Sequence, residues 1–304
     1  MLRLTDRSLC RTITVKGIIW VMKILLTGGS SSLAQQLIPY LSRYADIITV
    51  GRRHCDIYFD LENPLEDSIV DSIGNISVLI HTAAYFGKSV KDNPEDLLKA
   101  EAINAIGTYK VCLLAEKLKV QHVIYISTIF TLLDRHSPFF NSYALSKKHG
   151  EELAAFFCAG YKIPITILRP AQFYGSAQCK KHQPFFYKLL DNVFLGKTIA
   201  LYGTGKAKRN YIHIDDVAQI IDKVVRQRVV GTYQCLHPKN ISYKELVQTA
   251  VEVCQSNSKL KFNPDQTDGL DNIFSYAPTL YQQIGFEPQI TLAAGIKDYY
   301  KNYG

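Results

Sequence analysis

MKILLTGGSSSLAQQL, residues 22–37, decides the fold. Residues 23–26 form a short apolar run, Thr27-Gly28-Gly29 is a turn, and residues 33–44 carry apolar side chains at helical spacing. A strand that stops at glycines and resumes as a helix opens a parallel α/β unit. Glycine lets the backbone turn sharply, and the N–H groups at the helix start then face a phosphate beyond the strand's carboxyl end. The spacing to compare is G-x-x-G-x-x-G. Only Gly28 is kept; Ser31 and Ala34 fill the other two positions. Alanine still allows helix and strand to pack closely. Serine is the larger departure, because backbone must approach a pyrophosphate there.

The same rhythm continues outward. Residues 47–50, 78–81, 123–127 and 165–168 read as short buried strands, and residues 94–118 and 143–159 as helices, the second ending at Gly160. Short apolar strands alternating with amphipathic helices predict an α/β fold, a doubly wound parallel sheet (Rossmann) covered on both faces. After Gly175 the rhythm breaks into turn-rich, aromatic segments with helices near residues 184–194, 214–226 and 243–253. The expected plan is a nucleotide-binding domain over residues 22–175, with residues 211–228 returning to it, and a smaller C-terminal α/β substrate lobe over residues 176–304. Residues 1–21 read as an N-terminal extension, with Met22 a natural start.

Composition narrows the function. The chain has 304 residues, 47% of them hydrophobic, and a net charge of +8. The basic residues are scattered, so the balance suits a phosphate-rich small ligand better than nucleic acid. No apolar run is long enough to span a bilayer. Seven cysteines lie far apart with no C-x-x-C, which fits a reducing, cytoplasmic setting and argues against disulfides and a zinc site.

The end of the second strand bears on the cofactor. Val50 is followed by Gly51-Arg52-Arg53, and no acid appears until Asp56. An acid there would hold the ribose 2′-OH of NAD, whereas arginine accommodates the 2′-phosphate of NADP. NADP is therefore preferred over NAD. Tyr143 and Lys147 stand four apart on one helical face. An ammonium so placed favours the tyrosinate, bringing the phenol toward working pH for proton transfer. Thr128, at the end of a strand, can bond the same substrate oxygen. A second Y-x-x-x-K, Tyr202 to Lys206, runs through Gly203 and Gly205 and reads as a turn.

With these residues in view, the sequence resembles the extended short-chain dehydrogenase/reductase family, in its NAD-dependent epimerase/dehydratase branch. The segments that carry the resemblance are MKILLTGG, HTAA from His81, NAIGTYKV from Asn104, VIYIST from Val123, SYALSK from Ser142, LRPAQFYG from Leu168, YGTGKAKRNYIHIDDVA from Tyr202 and IGFEP from Ile284, in the family's order. The resemblance implies that Tyr143 is the acid/base, that Lys147 also binds the nicotinamide ribose, and that Thr128 orients the substrate oxygen. It implies a cofactor lined by Gly28, Ser31, Ser32, Leu33, Asp60, Leu61, Ala83 and Pro170. It puts Tyr85 and Gln172 at the substrate, and Arg209 on its diphosphate. A nucleotide-diphosphate sugar is then the partner, and a homodimer is common in the family.

Departures from the family matter. Its 4,6-dehydratases follow this threonine with Asp-Glu, and its sugar decarboxylases with a glutamate; here Ile129 and Phe130 follow Thr128. Ketoreduction or epimerisation remains, and the arginine pair favours reduction. The rivals are a catalytically silent NADP sensor or scaffold and a reductase of a non-sugar ketone.

Overall fold

A computed structural model describes residues 13–15, 18–20, 22–87 and 93–302. The expected extension over residues 1–21 falls largely outside the described residues. Two short strands there, β1 (Ile13–Val15) and β2 (Ile18–Trp20), pair antiparallel.

β3 (Met22–Thr27) runs into the glycine turn, and α1 (Ser32–Leu41) leaves it. Alternate β3 residues serve opposite faces. Ile24 and Leu26 meet Leu33, Leu37 and Leu41 of α1, and Leu25 enters a second core on the other side. A strand buried on both faces needs this unbroken apolar run. β4 (Ala45–Gly51), β5 (Ile57–Tyr58), α2 (Asp67–Ile73) and β6 (Val78–His81) follow. The single helical stretch predicted for residues 94–118 is broken into three. α3 (Pro94–Ala100) passes through a π-helical turn, Glu101–Ile106, into α4 (Gly107–Lys117). The turn holds Asn104 fully buried, where its side chain bonds both backbone groups of Tyr85 and the hydroxyl of Ser146.

β7 (His122–Ile126), α5 (Ser142–Gly160) and β8 (Ile165–Pro170) come next. Downstream lie β9 (Gln172–Tyr174), α6 (Pro184–Phe194), β10 (Ile199–Tyr202), β11 (Lys208–His213), α7 (Ile214–Gln227) and β12 (Gly231–Cys235). The chain ends with β13 (Asn240–Ser242), α8 (Tyr243–Cys254), β14 (Leu260–Asn263), α9 (Thr279–Ile284) and α10 (Leu292–Lys301).

Seven parallel strands form the main sheet in the order β5-β4-β3-β6-β7-β8-β12. The order reverses at β3, the switch point where ligands of such sheets bind. α7 packs its apolar stripe (Val217, Ile220, Ile221, Val224) into the core that holds α1. β12 supplies the seventh strand from a segment the sequence reading assigned to the second lobe. Its residues, GTYQC, are too polar for a buried run, as befits an edge strand with four of five positions partly or fully exposed. The second lobe has a β9-β11-β13 sheet and a β10-β14 pair.

One buried carboxylate ties this lobe back to the sheet. Asp216 of α7 accepts from the backbone N–H groups of Gln289 and Ile290, at 3.0 Å each. Asp216→Ala removes the acceptor of two backbone donors, one on an exposed and one on a half-buried residue, and should cost about 1 kcal/mol of unfolding free energy. Urea titration checks this, with a lower midpoint expected at unchanged slope; an unchanged midpoint contradicts it.

Candidate active site

Two cavities lie along the carboxyl edge of the parallel sheet. The larger, about 620 Å3, follows the ends of β3, β4 and β6 and includes Arg52, Arg53, Asp60, Leu61 and Ala83 in its wall. The smaller, about 280 Å3, follows the ends of β7 and β8 and includes Ser127, Thr128, Tyr143, Pro170 and Gln172. Phe86, Lys181 and His182 border both.

The glycine turn shapes the larger cavity. Gly28 has φ +69°, and a Cβ on it would lie 2.7 Å from the backbone nitrogen of Ala83. Only glycine tolerates both conditions. Ser31 caps α1, its Oγ accepting from the Ala34 N–H at 3.2 Å. The serine is thus absorbed as a helix cap, and Ser30, Ser31 and Ser32 all remain on the cavity wall. At the far end Arg52 has a loose contact, 3.8 Å, with Glu62. Asp56 turns back on β4, accepting from the Thr49 N–H (2.8 Å) and hydroxyl (2.7 Å). Those hydrogen bonds hold its carboxyl below the usual range.

α5 positions Tyr143 and Lys147. Asn141 caps the helix by accepting from the Ala144 N–H, so Tyr143 falls in its first turn. The Tyr143 ring is buried and stacks on Phe86 at 4.5 Å, and Phe86 in turn meets His182 at 3.9 Å. Burial pushes the Tyr143 phenol well above its ordinary value, with the Thr128 hydroxyl opposing. Lys147, 1% exposed, donates to the Ile126 carbonyl at 2.6 Å and lies 4.1 Å above the Tyr125 ring. Burial pulls its amine down to about 7, against the pull of Glu151. The expectation that an ammonium lowers the phenol is therefore corrected. The amine is turned into the sheet, the phenol lies under Phe86, and desolvation dominates both groups.

Thr128 lies two residues past β7 and caps the 3-10 turn Ile129–Leu132. Buried His81 bridges Thr27 (2.6 Å) and Thr108 (3.1 Å), and burial keeps it neutral. It braces the strand ends beneath the cavities.

Four residues named from the sequence, Leu33, Tyr85, Lys147 and Arg209, line neither cavity. Leu33 turns into the core under α1. The Tyr85 hydroxyl is engaged by Asp96. Arg209 is held between the Phe139 and Tyr243 rings at about 5 Å, with one nitrogen donating to the carbonyls of Lys208 and Leu270. Cation–π contact and two carbonyls satisfy it away from the cleft. Lys147 also lies beneath the cavity floor rather than on it. Conversely, sequence reasoning missed Ser127, Phe86, Lys181 and His182. Phe86 and His182 are 96 residues apart in sequence numbering, and no local spacing signals that they meet. The Ser127 hydroxyl, buried on the smaller cavity, has no hydrogen-bond partner among the described residues.

Known proteins resemble this chain in sequence and in fold. Among curated relatives, a probable UDP-glucuronate 4-epimerase of Rhizobium meliloti (strain 1021) is 24% identical over 306 residues, covering 86% of this chain and 87% of its own length. The CDP-abequose synthase of Salmonella muenchen is 24% identical over 289 residues, covering 90% and 96%. A dTDP-D-glucose 4,6-dehydratase of Dictyostelium discoideum is 26% identical over 254 residues, 70% of this chain but 57% of that protein. Among solved structures, UDP-N-acetylglucosamine 4-epimerase from Bacillus cereus superposes with a TM-score of 0.75 at 20% identity, covering 92% of this chain and 96% of that one. UDP-glucuronic acid 4-epimerase from Bacillus cereus in complex with NAD gives 0.72 at 19% identity, covering 92% and 96%. The signature of the NAD dependent epimerase/dehydratase family matches residues 24–235. That span runs from the first strand of the parallel sheet to the last and includes the Tyr143/Lys147 helix, and the chain belongs to this family.

Proposed function

We propose that this chain reduces a ketone on a nucleotide-linked sugar, with NADPH as the reductant. One observation carries the reading. The smaller cavity has Thr128 and Tyr143 on its wall, and no carboxylate among its described lining residues. Elimination of water or of carbon dioxide calls for an acid or base beside the sugar ring; transfer of a hydride and a proton needs only the phenol. The curated relatives' names, a CDP-abequose synthase and a UDP-glucuronate 4-epimerase among them, support a nucleotide sugar.

When bound, the nicotinamide supplies a hydride, two electrons with one hydrogen, to the carbonyl carbon. Tyr143 gives its proton to the carbonyl oxygen, and the product is the alcohol. A buried phenol that keeps its proton at neutral pH suits donation, the reductive direction. Thr128 orients the carbonyl oxygen. Lys147, bonded to the Ile126 carbonyl, holds α5 and with it Tyr143 at the end of β7.

In the larger cavity, Arg52 and Arg53 suit a 2′-phosphate, and Asp56, bonded to Thr49, is not offered to a ribose. Asp60 and Leu61 would hold the adenine end. Gly28, Ser31, Ser32 and Ala83 would flank the pyrophosphate, and Pro170 the nicotinamide. Gln172 faces the sugar, bonded to Gln183 at 2.9 Å. Lys181 makes no ion pair among the described residues and borders both cavities, so it replaces Arg209 as the cation offered to the substrate diphosphate. Tyr109 of α4, Phe156 of α5 and Tyr161 just past its end stand exposed, a face suited to a second copy of the chain. Among the described residues, no helix is long and apolar enough to cross a membrane.

NADPH absorbance, followed with a nucleotide-linked 4-keto sugar, tests the reaction. Tyr143→Phe should lower kcat by about 10²–10⁴-fold while NADPH still binds. A Phe variant as fast as the parent contradicts the mechanism. Binding without turnover on any such sugar favours the silent sensor, and exchange of two epimers without net NADPH consumption favours an epimerase. For the cofactor, the double substitution Arg52→Ala/Arg53→Ala should cut the preference for NADPH over NADH by about tenfold or more. An unchanged ratio removes the arginines from that role.

A further inference from the structure

Ser127 is the first residue past β7, and the mechanism above gives it no part. Its backbone N–H donates to the Leu168 carbonyl at 2.7 Å, so the main chain here is still tied to β8. The side chain has no such tie. The residue is 3% exposed, and its hydroxyl has no hydrogen-bond partner among the described residues. A hydroxyl taken from water without a replacement partner weakens the folded state. Serine commonly avoids this by bonding a nearby backbone group, which this one does not do.

Its place sets it apart. Other buried polar atoms also go unpaired, among them those of His122, Tyr125 and Asn272. Of the described residues that carry such an atom, Ser127 alone is on the wall of either cavity. The other aliphatic hydroxyl and the side-chain amides of the smaller cavity are already engaged. Asn141 caps α5, Gln172 and Gln183 bond each other, and the Thr128 hydroxyl oxygen accepts from the Phe130 N–H at 3.3 Å. The Ser127 hydroxyl is covered in the free chain. A serine has one side-chain torsion with three staggered positions, and turning this one towards the cavity breaks no hydrogen bond.

We propose that Ser127 is a substrate-contacting residue, whose hydroxyl turns onto the smaller cavity and hydrogen-bonds an oxygen of the bound sugar. A hydroxyl both donates and accepts, so it matches a sugar hydroxyl or the ketone oxygen. The partner is the sugar because Ser127 borders the smaller cavity and is not part of the larger one, where the cofactor's phosphates are placed. The assignment deepens the proposed reductase reading and rests on it for the identity of the ligand. The unpaired state of the hydroxyl stands by itself and can be tested in the free protein.

Ser127→Ala removes one oxygen and keeps the backbone, so its two effects separate cleanly. In the free protein it discards an unpaired polar atom, and the folded state loses no hydrogen bond. In the complex it removes a bond to the sugar. A residue with a merely structural role would show the reverse, a less stable protein with unchanged affinity for the sugar.

Calorimetric titration of parent and Ser127→Ala gives the measurement, using dTDP-, UDP- and CDP-linked 4-keto sugars. Saturating NADP+ is present, so that no hydride can pass. The matching nucleoside diphosphates without a sugar, and NADPH alone, are the controls. The dissociation constant of the keto sugar that the parent binds should rise about tenfold in the variant. Those of the nucleoside diphosphate and of NADPH should stay unchanged, and the urea midpoint of the free variant should equal or exceed the parent's. Equal affinity of parent and variant for the sugar overturns the proposal, as does a lower urea midpoint, which would reveal a structural partner. A tenfold loss for NADPH with none for the sugar also overturns it, moving the contact to the cofactor. Weaker sugar binding in the variant with no keto-sugar turnover in the parent would sustain the contact and reject the reductase reading. Failure of the parent to bind any of the three sugars rejects both.

Discussion

The candidate site depends on a buried amine. Lys147 is the largest charged side chain among the fully buried residues, and it is held by a 2.6 Å hydrogen bond to the Ile126 carbonyl and by the face of Tyr125. An ammonium at that depth is costly to desolvate, and each neighbour answers part of the cost. The carbonyl belongs to the last residue of β7, so the bond also fixes α5 against the sheet edge. Gly150 lets the helix come close, since a Cβ there would lie 2.5 Å from the Asn104 carbonyl and the Tyr125 hydroxyl. That carbonyl lies in the π-helical turn, so the irregular backbone, the glycine and the lysine form one packing unit. Tyr143, one turn before Lys147, inherits its position from this unit.

Much of the fold was legible because the sheet is buried on both faces. Such strands must be apolar throughout, and residues 78–81 and 165–168 announce themselves by composition alone. Where burial is one-sided the signal fades. The edge strand β12 carries Thr232, Tyr233 and Gln234, and nothing local separates it from a loop. The π turn was hidden for a related reason: it keeps a helical apolar period while adding one residue to a turn.

For the candidate site, spacing names residues but not their charge balance. Tyr143, Lys147 and Thr128 share a helix and a strand end that spacing can reveal. Helical spacing does not say which way an amine points, and here it points into the sheet. The phenol is accordingly raised by burial instead of lowered by a neighbour. Arg209 shows the converse. A family pattern names it for a diphosphate, yet Phe139 and Tyr243 enclose its guanidinium away from the cavities. Phe139 precedes α5 and is 70 residues from Arg209 in sequence, so no local spacing announces their contact. Ser31 was the reverse surprise: a substitution that reads as damage to a phosphate turn serves as a helix cap and leaves the cleft open.

Net hydride delivery to a sugar carbon is the central claim, and isotope transfer tests it most directly. NADPH carrying deuterium at the transferable C4 position would be incubated with a nucleotide-linked 4-keto sugar, and the product analysed by mass spectrometry and proton NMR. The account predicts one deuterium on the new carbinol carbon and none on the recovered cofactor. A sugar that comes back unlabelled, with the deuterium still on the cofactor, would contradict it.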